Sequence, residues 1–209
     1  MAKDLISTLA DLREKEALKI VEDRLSAGEE PLKILEDARR AVEIVGKRFS
    51  DGEYFIPDLM YSGEILKAIN DMVKPKLTKA VGVKRLGKVI IGTVAGDIHD
   101  IGKDIVVFML DVNGFEVFDL GIDVPVQKFV DTIKETGSRV VGLSGFLTLA
   151  FQSMKDTVEV IKKAGLRDKV KIMIGGGQID EQVRSFTEAD AYGKDAMEAV
   201  KLAKGWIGG

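Results

Sequence analysis

The stretch Val89-Ile90-Ile91-Gly92-Thr93-Val94-Ala95-Gly96-Asp97-Ile98-His99-Asp100-Ile101-Gly102-Lys103 passes from a continuous apolar run, through a polar turn, into an apolar helix-like segment. A short uninterrupted apolar run bounded by turn residues reads as a strand buried on both faces. The turn carries His99, the single histidine among 209 residues. A lone imidazole between a strand and a helix serves as a metal ligand or a proton carrier. Asp97 lies two residues before it, and in an extended segment those two side chains share a face, within reach of one another. The plainer alternative is that Asp97 or Asp100 caps the next helix and His99 is an ordinary loop histidine.

Working outward, the same strand-then-helix alternation continues. Val89–Val94, Phe115–Leu120, Arg139–Leu143 and Val170–Ile174 read as strands, with a short fifth near Ala189–Tyr192. Helical segments are predicted at about Lys103–Asn113, Val126–Thr136, Phe151–Ala164 and Asp195–Trp206. Such alternation implies a parallel sheet covered by helices on both faces, with ligands at the carboxyl ends of the strands. Asp97 and His99, Ser144, and Gly175-Gly176-Gly177 all fall at such ends. No phosphate-binding fingerprint follows the first strand: Gly-x-Gly-x-x-Gly and Gly-Lys-Ser/Thr are both absent.

Residues 1–75 read differently. Leu5, Ile6 and Leu9 open a short helix, and a second covers about Lys15–Ala27. Ile34, Leu35, Ala38, Ala41, Val42, Val45 and Phe49 form the apolar stripe of a third helix, which begins at Pro31. A fourth opens near Pro57 and carries Leu59, Met60, Leu66, Ile69 and Val73. Four helices with short connections predict a small bundle. The expected architecture is thus an α/β chain: a helical domain over 1–75, a linker over 76–87, and a flavodoxin-like, five-stranded domain over 88–209. Gly82 and Gly87 are the soft points expected in the linker.

Composition narrows the chemistry. There are 31 basic and 34 acidic residues, a net charge of -3, which gives no general drive toward nucleic acid or an anionic membrane. Cysteine is absent, so thiolate chemistry, iron–sulfur ligation and cysteine zinc sites are excluded. One histidine cannot build a multi-histidine metal site. A metal would need carboxylates, or would arrive inside its own organic ligand and accept one protein donor. The start, Met1-Ala2-Lys3-Asp4, has no apolar signal core, and no run approaches membrane-spanning length. The expectation is a soluble, cytoplasmic protein.

Three segments belong together: Asp97-x-His99-x-x-Gly102, then after 41 intervening residues Ser144-Gly145-Phe146, then after 28 more Gly175-Gly176. This pattern resembles the corrinoid-binding signature Asp-x-His-x-x-Gly, Ser-x-Leu, Gly-Gly. The helical half is similar to the cap of methyl-transferring corrinoid proteins and of methionine synthase, through Val45-Gly46-Lys47-Arg48-Phe49-x-x-Gly52-x-x-Phe55-Ile56-Pro57.

The resemblance implies a non-catalytic carrier subunit of a cobalamin-dependent methyltransferase system. It would accept a methyl group on cob(I)alamin from a substrate:corrinoid methyltransferase and deliver it to a second methyltransferase with a folate or pterin acceptor. A reductive activator would restore oxidised cobalt. The cofactor implied is cobalamin or a related corrinoid, with His99 as lower axial ligand of cobalt and Asp97 orienting its other ring nitrogen. Ile98, Asp100, Gly102 and Lys103 flank that ligand in the same signature. Ser144, Phe146 and Thr148, with Gly175, Gly176, Gly177 and Tyr192, would receive the cofactor's nucleotide tail. Phe49, Ile56, Leu59 and Met60 would shield the upper face.

Two departures from the family pattern carry consequences. Phe146 stands at the leucine position and should reshape the tail slot. Ala150 stands where methionine synthase continues the His–Asp relay with a serine, so Asp97 must find water or backbone instead. The resemblance leaves the methyl donor open, with aromatic methyl ethers or methylamines preferred. A cobalamin-binding sensor or regulatory module without methyl transfer is the alternative. It calls for an output element, and the two halves leave none evident.

Overall fold

The computed structural model describes residues 4–76 and 85–208, and the chain divides into two compact units, the second starting at Arg85. Among the described residues the first unit holds α1 (Leu5–Ala10), α2 (Glu14–Ser26), α3 (Pro31–Ser50) and α4 (Ile56–Val73). Asp4 caps α1 by accepting the Ser7 N–H, and Pro31 occupies the first turn of α3, where its missing N–H costs no hydrogen bond. The stripes meet as expected: Leu5, Leu9, Val21, Ile34, Ala38, Val42, Val45, Ile65 and Ile69 are all buried. The Arg48 guanidinium donates to the Ala10 carbonyl (2.7 Å), Asp11 Oδ1 (3.1 Å) and the Tyr54 hydroxyl (2.8 Å), pinning the α3–α4 turn to the end of α1.

One expected site residue changes role here. Leu59 is 1% exposed and belongs to the bundle core, so it has no surface with which to shield a cofactor. Its neighbours on the turn, Ile56 and Met60, are 40% and 62% exposed, and Phe49 is half-buried. The difference is one of helical phase. Residues 56 and 60 share a face, and 59 is turned from them by about 60° and 100°, enough to place it on the core side.

The second unit contains β1 (Lys88–Thr93), α5 (Ile101–Val112), β2 (Glu116–Asp119), α6 (Val126–Thr136), β3 (Val140–Ser144), α7 (Ala150–Lys163), β4 (Lys171–Gly175), α8 (Glu181–Thr187), β5 (Ala191–Gly193) and α9 (Ala196–Ile207). The sheet is parallel in the order β2-β1-β3-β4-β5. β1, β3 and β4 are buried almost end to end, which is why their sequences read as continuous apolar runs. The register lines up Thr93, Ser144, Gly175 and Gly193 across four strands. Their carboxyl ends therefore form one straight edge. The strand order reverses between β1 and β3, the place where open sheets of this kind leave a crevice.

Two details differ from expectation. α8 was not legible in the sequence: seven residues carry too short a stripe. Its start is marked by Asp180, which accepts the N–H groups of Gln182 and Val183. The expected linker falls mostly on residues outside those described, Gly82 among them. Gly87 is described, and it is no hinge. Its carbonyl accepts the Glu116 N–H (2.8 Å), and a Cβ there would lie 2.7 Å from the Ile207 side chain, so α9 packs directly on it. Arg85 is likewise held, by Asp111 Oδ1 and the Phe115 carbonyl, both at 2.7 Å. No described helix is long and apolar enough to cross a membrane.

Candidate functional site

The turn after β1 is built by backbone bonds before any side chain acts. The Asp97 N–H returns to the Val94 carbonyl (3.1 Å), with Gly96 at φ +82, a conformation that L residues rarely adopt. The Asp97 side chain then closes a second turn, accepting the His99 N–H at Oδ1 (2.9 Å). The same oxygen meets His99 Nδ1 at 2.7 Å. Asp97 and His99 do pair, then, but by a side-chain turn rather than by the extended geometry the spacing suggested. The His99 carbonyl accepts the hydroxyl of buried Thr93 (3.1 Å), so the residue is held at both backbone ends.

Asp97 is fully buried, and its other oxygen takes the N–H groups of Phe146 (2.7 Å) and Leu147 (2.9 Å) from the loop after β3. With Ala150 in place of a relay serine, backbone is what this carboxylate finds. Burial pushes the Asp97 carboxyl up, but the N–H groups of Leu147, His99 and Phe146, with the His99 ring, outweigh it and hold the group well below the usual carboxylate range. The Asp97 charge thus stitches the loops of β1 and β3 together across the crevice.

This has a pH consequence. A carboxyl whose native pKa is lowered adds stability that is complete above its unfolded value of ~3.9 and is lost as pH falls through the native value. Asp97→Asn should therefore be less stable than the parent by a margin that is constant above about pH 5 and narrows below it. Urea unfolding across pH checks this; a margin independent of pH down to about 3 would remove the carboxylate charge from the account.

The His99 side chain is 48% exposed, and among the described residues none hydrogen-bonds Nε2. The Phe146 ring lies against the imidazole, centroids 4.7 Å apart and planes tilted by 35°. The same ring also crowds Gly177, where a Cβ would sit 2.5 Å from it. Phe146 thus lies close to both His99 and the glycine run. Ser144 ends β3, partly buried; Gly175 ends β4; Gly176 and Gly177 follow it, exposed, as is Thr148. Tyr192 in β5 packs partly buried against the core. Ile98 and Ile101, close to His99 in the chain, are 68% and 64% exposed, and Leu149, in the loop after β3, is 81% exposed. Space beside Gly102 is open: a Cβ there would meet nothing within 4 Å.

Lys103 is a correction. Only 3% exposed, its ammonium is committed to Asp104 (2.5 Å) and Asp119 (2.7 Å), so it braces α5 and offers nothing to a ligand. Asp100 stands at the N-cap of α5 without a side-chain capping bond. Thr93 and Asp123 were missed. Thr93 had one signal, a hydroxyl ending an apolar strand; Asp123 had none in the sequence.

The donor set suits one kind of metal. No group of three or more carboxylate, imidazole or thiolate residues that could hold a metal ion occurs among the described residues. What exists is one imidazole, its Nδ1 engaged by a carboxylate and its Nε2 open, the arrangement that orients a metal-ligating histidine. A corrin ring would supply most of a cobalt ion's donors itself, so a single imidazole such as His99 would suffice from the protein.

Comparison with known proteins follows the same line. A family model described as a B12 binding domain matches residues 87–201, and a second of the same description matches 1–74. Trimethylamine corrinoid protein 2 of Methanosarcina mazei is 38% identical over 200 residues, covering 95% of this chain and 92% of that protein. The dimethylamine corrinoid protein of Methanosarcina barkeri is 36% identical over 206 residues, 97% of each. The crystal structure of a cobalamin-binding protein from Desulfitobacterium hafniense DCB-2 superposes with a TM-score of 0.80 at 41% identity, covering 97% of each chain.

Proposed function

The chain belongs to the family of B12-binding corrinoid proteins, and from that premise we propose that it is the methyl carrier of a methyltransferase system, with His99 as the lower axial donor to cobalt. The observation that carries this reading is the Asp97–His99 pair: a buried carboxylate grips Nδ1 at 2.7 Å and leaves Nε2 open at the sheet's switch point. Bound cobalamin supplies a cobalt centre that accepts a methyl group from one partner and yields it to another.

The protein's part is to bind, orient and shield. Asp97 fixes the imidazole tautomer by accepting the Nδ1 proton, which leaves Nε2 as the lone-pair donor. Thr93 and the Asp97 turn hold the His99 backbone, so the donor is set in place before it binds. Ser144 and Gly175–Gly177 line the strand edge proposed to accept the nucleotide tail, with Phe146 as its wall. Ile98, Ile101 and Leu149 supply apolar surface that excludes water near the metal. Ile56 and Met60, two of the exposed apolar residues of the helical unit, are assigned to shielding the methyl group; buried Leu59 is not.

The partners in this reading are a substrate:corrinoid methyltransferase that loads the carrier, a second methyltransferase with a folate or pterin acceptor, and a reductive activator. The donor class is a methylated amine, supported by the trimethylamine and dimethylamine corrinoid proteins that the chain resembles over nearly its whole length.

The test is a labelled-methyl assay. The protein, reconstituted with cobalamin and reduced, is mixed with methylamine methyltransferases and deuterated tri- or dimethylamine, and the extracted corrinoid is weighed by mass spectrometry. One labelled methyl per corrinoid, dependent on methyltransferase, is expected. Labelling from methanol or an aromatic methyl ether with its own methyltransferase, and from neither amine, would overturn the donor class. No labelling from any donor would overturn the carrier reading.

A further inference from the structure

Asp123, in the loop between β2 and α6, adopts φ +49, the left-handed region that side chains other than glycine seldom occupy. Such a conformation is unfavourable for a residue with a side chain and persists where surrounding bonds demand it. Here two bonds do, and both run to the turn that carries His99. Asp123 Oδ1 accepts the Gly96 N–H at 2.7 Å, and the Asp123 N–H donates to the Asp97 carbonyl at 3.0 Å. The contact spans 27 positions in sequence. The same loop reaches the far end of the His99 segment: Asp119 holds Lys103 through Oδ2 (2.7 Å) and the Gly121 N–H through Oδ1 (2.9 Å). Residues 119–123 therefore grip residues 96–103 at both ends, with His99 between the grips.

The Lys103–Asp119 grip is a buried cation with two carboxylates and explains itself as structure. The Asp123 grip does not. Asp123 is exposed, so its carboxylate gains nothing from burial, and its backbone stays in an unfavourable region. We propose that Asp123 is a positioning residue for His99: by holding Gly96 and Asp97 it fixes the plane in which Asp97 presents the imidazole, and so the direction of Nε2. The inference rests on the reading of His99 as the axial donor only for its consequence in the loaded protein; the positional effect stands apart from it.

The experiment uses the full chain and the variants Asp123→Ala, Asp123→Asn and Asp123→Gly. Asparagine keeps an acceptor oxygen and tolerates the left-handed region; glycine tolerates the backbone and removes the acceptor. Because the chain holds one histidine, its ring protons give one set of NMR signals, read on cofactor-free protein. Asp123→Ala and Asp123→Gly should shift or broaden that set, and Asp123→Asn should keep it at the parent position. With hydroxocobalamin bound, the ratio of histidine-on to base-off absorption should fall about five-fold in the alanine and glycine variants, the worth of one hydrogen bond of ordinary strength, and recover in the asparagine variant. If alanine fails to fold, glycine carries the test. Unmoved ring signals in the glycine variant overturn the proposal, whatever happens to its melting temperature. Should the parent itself show no histidine-on form, the axial-donor reading falls, and the ring signals alone still decide the role of Asp123.

Discussion

His99→Ala is expected to convert cobalamin bound to this protein completely from the histidine-on to the base-off spectrum, while the fold stands. No second imidazole side chain and no thiolate can take its place: the chain has one histidine and no cysteine. The fold stands because His99 is held by, rather than holding, its surroundings. Its side chain is 48% exposed and contributes one of the four hydrogen bonds that Asp97 accepts. In the alanine variant Asp97 still accepts the backbone N–H groups of residue 99, Phe146 and Leu147, so no buried charge is orphaned. The stability loss should be about 1 kcal/mol, the net worth of one hydrogen bond. Absorption spectra of the two proteins with hydroxo- and methylcobalamin, beside urea unfolding of each without cofactor, make the measurement. Identical spectra would remove His99 from the metal.

Gly176→Ala is expected to be the costliest single-methyl change at the strand edge. A Cβ on Gly176 would lie 1.8 Å from the Gly145 carbonyl oxygen and 2.9 Å from its carbon, at φ +150. Both obstacles are backbone, and Gly145 is itself locked. Its N–H donates to the Gly175 carbonyl (3.1 Å), and a Cβ on Gly145 would lie 2.6 Å from that of Ala150. The loops of β3 and β4 must therefore part to admit the methyl, which combines backbone strain with overpacking. The cost is on the order of 3 kcal/mol, a melting temperature lower by roughly 10 °C for a domain of this size. Cobalamin uptake should fall with it, since the displaced loop carries Phe146. Gly102→Ala is the control. It sits in α5 with open space around its Cβ, so its cofactor-free stability should be unchanged or slightly raised. A Gly176→Ala protein as stable as the parent would show that these loops yield more easily than their packing suggests.

These two cases separate what was legible from what was not. His99 was legible because its chemistry is local: a lone imidazole, an acid two positions away, and a strand before it. Asp97 as its partner was legible too, though the bond forms through a side-chain turn rather than an extended strand. The second half of Asp97's work was not, because Phe146 and Leu147 lie about fifty positions along the chain and offer backbone N–H groups, which every residue has. Asp123 was invisible for the same reason. Its role rests on a positive φ and on a bond to a glycine N–H, neither of which leaves a mark in residue type.

Periodicity, together with the alternation of strand and helix segments, determined the helical bundle, the parallel sheet, and the placing of Asp97, His99, Ser144 and Gly175 at carboxyl ends. Burying an apolar stripe or a two-faced apolar strand leaves one solution for such patterns. Only the tertiary structure decided that Leu59 belongs to a core, that Gly87 is packed rather than free, that Lys103 is spent on two carboxylates, and that Phe146 lies close to both His99 and Gly177. Each depends on which atoms from distant segments meet at van der Waals or hydrogen-bonding distance. Sequence spacing specifies the side of an element on which a residue lies, and packing specifies what it finds there.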